Sequence, residues 1–408
     1  MNLYEKFKLN IVPPIFLIVF TSSVQFLALF GKGEPITFNA IKTGLIGNFT
    51  ALKIVFITFI WSYIFLIISS KETKGIEAPN GYVPTYKANG VSYYLITATT
   101  YLICHYLWPN ISTAIYDNMP QILGIMNTIA LLFCTYLFLK SDEGSDLPKL
   151  YIFYRGRELH PTIFNVQVKQ LIITRISLMF WQIQVFAFFF TTCERRTIDL
   201  PTTVTFLLQT IYLFKTFIYE SAYFHTLDIT LDRAGYYLIW GCLVWLPCIF
   251  PYVSYYLVTN KPTMMSTCPA ILILVFGTVS IICTALVDFQ KATFRRTNGK
   301  ALIWNRRPTF IKAEYKDTNG KLKTSLLLTS GFWGQARHLN YTFELLSNLS
   351  WALPAYSLGL PPFLFIIFLT ILILHRIYRD EDKCRNKYGK YWQEYCKIVP
   401  YRLIPYVV

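Results

Sequence analysis

Apolar runs of about twenty residues, broken by short polar stretches, recur along nearly the whole chain. A helix needs ~20 apolar residues to cross a bilayer. On that scale the pattern predicts spans at roughly 11–30, 51–70, 91–108, 121–139, 171–192, 202–219, 236–258, 269–288, 343–360 and 361–377. The expected fold class is an all-α polytopic membrane protein with about ten transmembrane helices. Two regions stand out. Residues 1–290 alternate eight spans with loops, the larger ones at 71–90 and 140–170; residues 291–408 hold a polar loop, two closely spaced spans and a charged tail. Lys6 and Lys8 precede the first run as they would in a secretory signal. That run, however, carries Pro13-Pro14, continues to Phe30 and has no small-residue cleavage site, so it is expected to be retained.

The polar segment 289–342 has turn chemistry of its own. Asn298-Gly299 separates "FRRT" from "KALIW", and Asn319-Gly320 separates "FIKAEYKDT" from "KLKTSLLL". Asn-Gly favours tight hairpins because both residues tolerate positive φ. A cytoplasmic loop containing hairpins is expected, although a solvated basic loop serving topology is the simpler account of these turns taken alone.

Composition agrees with the spans: 54% of residues are apolar and only 15% charged. The net charge of +16 raises a nucleic-acid reading, which its placement weakens. Nineteen of the 38 Lys and Arg residues lie at or beyond Lys291. With an even span count and a cytoplasmic N-terminus, most basic residues fall on the cytoplasmic side, as the positive-inside rule expects. Both termini are therefore expected in the cytoplasm, with no nucleic-acid partner. Nine cysteines without paired spacing and five scattered histidines suggest neither a disulfide framework nor a metal site. The sequons at Asn48 and Asn110 are short enough to arise by chance. Nothing in the pattern sets an oligomeric state.

Ionisable groups within spans are costly and commonly mark function. The densest case is "IYLFKTFIYESAYFHTLDITLDRAGYYLIWG" at 211–241, where Tyr212, Lys215 and Tyr219 share one helical face. Glu220, Asp228, Asp232 and Arg233 follow at the end of the same element. A structural ion-pair network and a functional cluster are equally good accounts of Asp232 and Arg233, whereas the deeper Tyr212 and Lys215 suit a pocket. Lys215, Tyr219, Glu220 and Asp228 are accordingly candidates for lining a substrate pocket. Arg376 and Asp380, four residues apart where the last span ends, face the same way.

The basic end interleaves cations with rings. Lys291, Arg295, Arg296, Trp333, Arg337, His338, Asn340 and Tyr341 precede the last spans, and Arg376, Arg379, Arg385, Lys387, Tyr388 and Tyr395 follow. Guanidinium groups suit phosphate oxygens, and Trp or Tyr faces suit a flat heteroaromatic base. Binding of lipid headgroups is the competing account of a juxtamembrane basic cluster, but it does not call for the aromatics. Gly31-Lys32-Gly33 lacks the third glycine and the strand–helix context of a Rossmann fingerprint. From the residues alone, the reading is a membrane enzyme with a cytoplasmic, nucleotide-like cofactor.

The chain resembles the sterol reductase family that reduces ring double bonds, and within it the Δ7 branch. The resemblance is carried by "GYVPTYKANGVSYY" at 81–94, "LDITLDRAGYYLIWGCLVWLP" at 228–247, "FRRTNGK" at 294–300, "LLLTSGFWGQARHLNY" at 326–341 and "LHRIYRDEDKCRNKYGKYWQEYCKIVPYRLIPY" at 374–406. It implies residence in the endoplasmic reticulum membrane, a sterol substrate entering from the bilayer, and NADPH held by the C-terminal half. By motif, the cofactor contacts implied are Lys291, Arg295, Leu328, Trp333, Asn340, Tyr341, Arg376, Asp380, the run Cys384, Arg385, Asn386, Lys387 and Tyr388, and Tyr395. The acid candidates implied are Tyr212 and Asp380. The chain departs from its relatives at Cys242 (Asp in animal relatives), Phe250 (Tyr in many) and the final "PYVV". Two other readings stand beside the reductase: a sterol-binding protein that keeps this fold without turnover, and an isoprenylcysteine-type membrane methyltransferase.

Overall fold

The computed structural model describes residues 3–78, 81–142, 146–316 and 320–407, and most of them are helical. The chain divides into two units, residues 1–264 with 355–362 and residues 265–354 with 363–408.

The first unit is a helical bundle of α1 (Val12–Lys32), α2 (Phe49–Ile67), α3 (Gly90–Leu107), α4 (Met119–Lys140), α5 (Gln170–Arg195), α6 (Leu200–Ile218) and α7 (Tyr236–Thr259). Local chemistry sets several starts. The Asn48 side chain accepts from Ala51 N–H at 2.8 Å to cap α2, and Asp199 caps α6 through Thr202 N–H, also at 2.8 Å. Pro120 and Pro201 occupy first turns, where a missing N–H costs nothing. Helix α5 is the most enclosed, burying polar as well as apolar side chains against α3, α6 and α7.

Among the described residues, seven helices of the whole chain are long and apolar enough to cross a membrane. The expected spans 91–108, 202–219 and 343–360 are also helical, as α3, α6 and Leu339–Ala352, but fall short of that standard. The first two are rich in Thr and Tyr. The third has 14 residues, about 21 Å of helix.

Polar side chains inside the bundle pair with one another, as a lipid setting requires. Trp181 Nε1 donates to Gln209 Oε1 at 3.0 Å, and Gln209 Nε2 donates to Ser254 Oγ at 2.7 Å. Tyr94 OH donates to Gln182 at 3.0 Å and Trp240 to Asn127 at 2.6 Å. Helices α5 and α7 each begin with π-helical turns, at Gln170–Ser177 and Tyr236–Trp245. In the loops, Gly156 and Gly235 let two backbones cross. A Cβ on Gly156 would lie 2.4 Å from Ala234 C, and one on Gly235 would lie 2.2 Å from Gly156 N.

In the second unit, α8 (Thr267–Arg296) is a single helix of 30 residues. Asn298 (φ 49°) and Gly299 (φ 81°) end it, with Gly299 N–H returning to Phe294 O at 2.9 Å. Asn298-Gly299 therefore stops a helix rather than turning the hairpin expected there: the left-handed residues that suit a tight turn equally suit a helix C-cap. The second hairpin is present. Strands β1 (Phe310–Lys316) and β2 (Leu322–Leu328) pair antiparallel from Phe310↔Leu328 to Lys316↔Leu322. Gly320 has φ 75°, while Asn319 lies outside the described residues.

Helix α9 (Leu339–Ala352) packs along α8 and also touches α10 (Leu364–Tyr388). Helix α10 runs unbroken from the last apolar run into the charged tail. Gly389 (φ 52°) breaks the path, and α11 (Lys390–Ile398) follows. The face of the hairpin bearing Ile311, Ala313 and Leu327 packs on Tyr388, Trp392, Tyr395 and Val399. The tail is thus a packed part of this unit.

One interaction in the first unit gives a stability test. Arg175, fully buried in α5, forms an ion pair with Glu220, including Nη2 to Oε2 at 3.1 Å. Its guanidinium also donates to Asn89 Oδ1 at 2.6 Å and Thr174 Oγ1 at 2.9 Å. Removing one partner of a buried pair leaves an uncompensated charge and costs about 3–5 kcal/mol. Glu220→Ala is expected to lower the thermal unfolding temperature in detergent sharply, and the double change Arg175→Met with Glu220→Leu to recover most of the loss.

Candidate functional site

Most of the residues expected to hold a cofactor lie in the second unit, and several meet there. Lys291, in the last turns of α8, places its ammonium 3.4 Å from the centre of the Trp333 ring, a cation–π contact. The Trp333 indole N–H donates to Val287 O at 2.9 Å, and Trp333 packs with Val287, Phe294, Ile303 and Leu328. Phe332 N–H donates to Gln290 Oε1 at 2.9 Å, which fixes the Gly-Phe-Trp-Gly turn on α8. From the tail, Tyr395 OH donates to Trp333 O at 3.1 Å. Lys291, Leu328, Trp333 and Tyr395 are therefore one assembly, with Leu328 and Trp333 buried inside it.

The remaining expected contacts lie on α8, α9 and α10 of the same unit. Asn340 Nδ2 donates to Asp288 Oδ1 at 3.1 Å, and Tyr341 stacks on His338 with ring centres 5.5 Å apart. Tyr388 is buried and reaches Ser325 Oγ at 3.3 Å, while Cys384 packs against the same apolar cluster. Arg376 and Asp380 are half-buried on α10. Arg295, Arg385, Asn386 and Lys387 are exposed; Lys387 lies over Tyr315 at 4.2 Å, and Asn386 donates to Asp382 at 3.3 Å. Exposed basic side chains and the part-exposed Tyr341 ring on one unit are donor types that suit a phosphorylated, ring-bearing ligand.

Arg337, grouped with these cations by sequence, is otherwise engaged. Its Nε and Nη2 both reach Glu381 Oε1 at 2.9 Å, and Nη1 donates to Val399 O and Pro400 O at 2.7 and 2.9 Å. Its donors are committed to the protein. His338 beside it is buried, which pushes its imidazole down from 6.5 to about 4; Asp380 and Glu381 oppose this shift, and Lys291 and Arg337 add to it.

In the first unit, Tyr212 sits on α6 with its ring centre 5.7 Å from that of Trp181, and Lys215 Nζ lies 4.6 Å from the Tyr212 ring. The shared face expected for Tyr212 and Lys215 is present. Tyr219 is exposed at the C-cap of α6. Glu220 and Asp228 are buried among structural partners: Glu220 is held by Arg175, and Asp228 Oδ2 accepts from Tyr223 OH at 3.3 Å. Phe250, one of the departures, packs edge-on against Trp181 at 5.2 Å, so that substitution touches the support of Tyr212. Cys242 packs beside Tyr86, Ile173, Phe224, Ile229 and Leu238.

Four charged residues that the sequence reading passed over organise these regions: Lys169, Arg175, Glu381 and Arg402. Lys169 Nζ donates to Asp228 O at 3.1 Å, Ile229 O at 2.9 Å and Asp232 O. A lone arginine within the run 171–192 was a readable signal for Arg175.

Residues 12–408 match a family model described as "Ergosterol biosynthesis ERG4/ERG24 family". The chain is 39% identical to a 7-dehydrocholesterol reductase of Arabidopsis thaliana, over 83% of this chain and 81% of that protein. It is 34% identical to a 7-dehydrocholesterol reductase of Danio rerio, over 81% and 71%. It is also 31% identical to a Delta(14)-sterol reductase of Methylotuvimicrobium alcaliphilum, over 81% and 77%.

The buried imidazole has a measurable consequence. A histidine whose folded pKa lies below its unfolded value contributes stability that is present above about 6.5 and is lost as pH falls towards about 4. Denaturation followed across that window should show stability falling with pH, and His338→Gln should flatten the decline.

Proposed function

Because the chain belongs to the ERG4/ERG24 family, it is a membrane sterol reductase, and we propose that it reduces the Δ7 (C7–C8) double bond of a sterol such as 7-dehydrocholesterol with NADPH. The observation that carries the cofactor half is the Lys291–Trp333–Tyr395 assembly, on the same unit as Asn340, Tyr341, Arg376 and Asp380. Support for Δ7 over Δ14 is the "GYVPTYKANG" motif at 81–90 together with the higher identity to the Arabidopsis enzyme. In this reading the protein is an oxidoreductase of sterol biosynthesis in the endoplasmic reticulum membrane, with both termini cytoplasmic. Its substrate arrives through the bilayer.

A ring alkene has no carbonyl to polarise it, so a proton must reach the double bond as hydride does. NADPH, when bound, supplies that hydride. The chain supplies placement and the proton. Lys291, Arg295, Arg376 and the exposed Arg385 and Lys387 are assigned to the phosphates and Tyr341 to a flat ring, with Trp333 supporting Lys291 from beneath. Tyr212 is assigned as the acid that gives its phenolic proton to one alkene carbon, leaving positive character on the other to accept hydride. Lys215 Nζ lies 4.6 Å from the Tyr212 ring, a cation on the face of the proposed acid. The tyrosine regains its proton from water after each turnover, and Asp380 is kept as the second acid candidate that the resemblance implies.

Purified protein given 7-dehydrocholesterol is expected to consume NADPH, and to act faster on it than on a Δ14 sterol. Tyr212→Phe and Asp380→Ala should each lower kcat by about a hundredfold or more, the usual share of a general acid. Tight NADPH binding with no turnover of either sterol would move the assignment to a sterol-binding protein of this fold. Methyl transfer to a prenylated cysteine would move it to the methyltransferase reading.

A further inference from the structure

Along α10 the buried positions follow one stripe: Phe365, Leu369, Ile373, Ile377, then Glu381, then Tyr388. A carboxylate occupies a position where the spacing calls for an aliphatic side chain. A charge in such a place persists only if it is paired and hydrogen-bonded.

Glu381 is paired twice. Arg337 reaches its Oε1 through Nε and Nη2, both at 2.9 Å, and Arg402 Nε reaches Oε2 at 3.1 Å and Oε1 at 3.2 Å. The two arginines belong to two different stretches, and the main chain joins those stretches directly. Arg337 N–H donates to Tyr401 O at 2.9 Å, and His338 N–H to Arg402 O at 2.8 Å. Thr342 Oγ1 donates to Leu403 O at 2.7 Å, and Arg337 Nη1 closes on Val399 O and Pro400 O. Residues 399–403 thus lie along residues 337–342, and one carboxylate on α10 fastens both. Its neighbours in sequence are Asp380 and, three residues on, Cys384; residues 337–342 carry Asn340 and Tyr341. The imidazole Nε2 of His338, buried and without a hydrogen-bond partner, lies 3.9 Å from Glu381 Oε1.

We propose that Glu381 is a positioning residue for the cofactor site: held by Arg337 and Arg402, it straps residues 399–403 over the start of α9 and fixes Asn340 and Tyr341 relative to Asp380 and Cys384. This role rests on the NADPH reading of the unit. Glu381 acts through the two segments that it joins.

The test uses the full-length protein in detergent, with NADPH affinity read by equilibrium binding and exposure of residues 397–402 read by trypsin cleavage at Lys397 and Arg402. Glu381→Gln keeps the shape but removes the charge. It is expected to weaken NADPH binding on the order of tenfold or more, the scale of an indirect misplacement, and to speed cleavage. Glu381→Asp should restore part of both. If Glu381→Gln does not fold, Arg402→Ala carries the test, because that side chain is about half exposed, with cleavage then read at Lys397 alone. NADPH affinity within twofold of the unaltered protein in a folded variant with the pair broken overturns this role alone. An unaltered protein that binds no NADPH overturns the cofactor reading, and this role with it.

Discussion

A buried carboxylate away from water must be paired and hydrogen-bonded, and in each unit one such carboxylate meets a buried guanidinium. In the first unit Glu220 meets Arg175, which also gathers Asn89 and Thr174. In the second, Glu381 meets Arg337 and Arg402. Each carboxylate joins segments far apart in sequence. Their apolar surroundings could be packed in many ways, but pairing and hydrogen-bonding geometry admits few. Fixing a loop against a helix by charge gives a register that hydrophobic contact alone does not specify.

The same logic explains why the chain places so many cations in its last part. Arg337 and Arg402 complete an internal pair, and Lys291 lies over an indole. Arg295, Arg385 and Lys387 remain exposed around them. Arg337 and Arg402 hold two chain segments to α10, while Arg295, Arg385 and Lys387 leave their charge at the surface. The unbroken helix from Leu364 to Tyr388 serves both roles, because it carries apolar, pairing and exposed basic positions on one rigid rod.

Much of this was legible in the sequence. Long apolar runs placed five of the spans within a few residues, since the bilayer sets their length. The helices from Thr267 and Pro361 run past the expected ends at 288 and 377 into charged segments. The weaker spans at Gly90–Leu107 and Leu200–Ile218 were legible only as helices, because Thr and Tyr there serve bonds such as Tyr94 to Gln182 rather than lipid contact. The Asn298-Gly299 turn was misread because its left-handed residues suit a hairpin and a helix stop alike; the helix before it decides. The π-helical turns at Gln170–Ser177 leave no sequence signature, since tertiary packing selects that hydrogen-bond shift. Glu381 could have been found: the four-residue stripe of α10 passes through it. It was overlooked because "RDEDK" looks like a solvated charge run.

The backbone crossing at Gly156 and Gly235 sets a rule for how this sequence can drift. Each glycine faces main-chain atoms of the other's segment, which no second substitution can make smaller. Most tight contacts allow a compensating change, a large residue here for a small one there. This one does not. A side chain at either position must be accommodated by moving a loop that also carries Arg233, bound to Arg157 O, and the Asp232 carbonyl that receives Lys169. The two positions are therefore an evolutionary dead end rather than a coupled pair: descendants of this chain can keep both glycines or rebuild the loops around them.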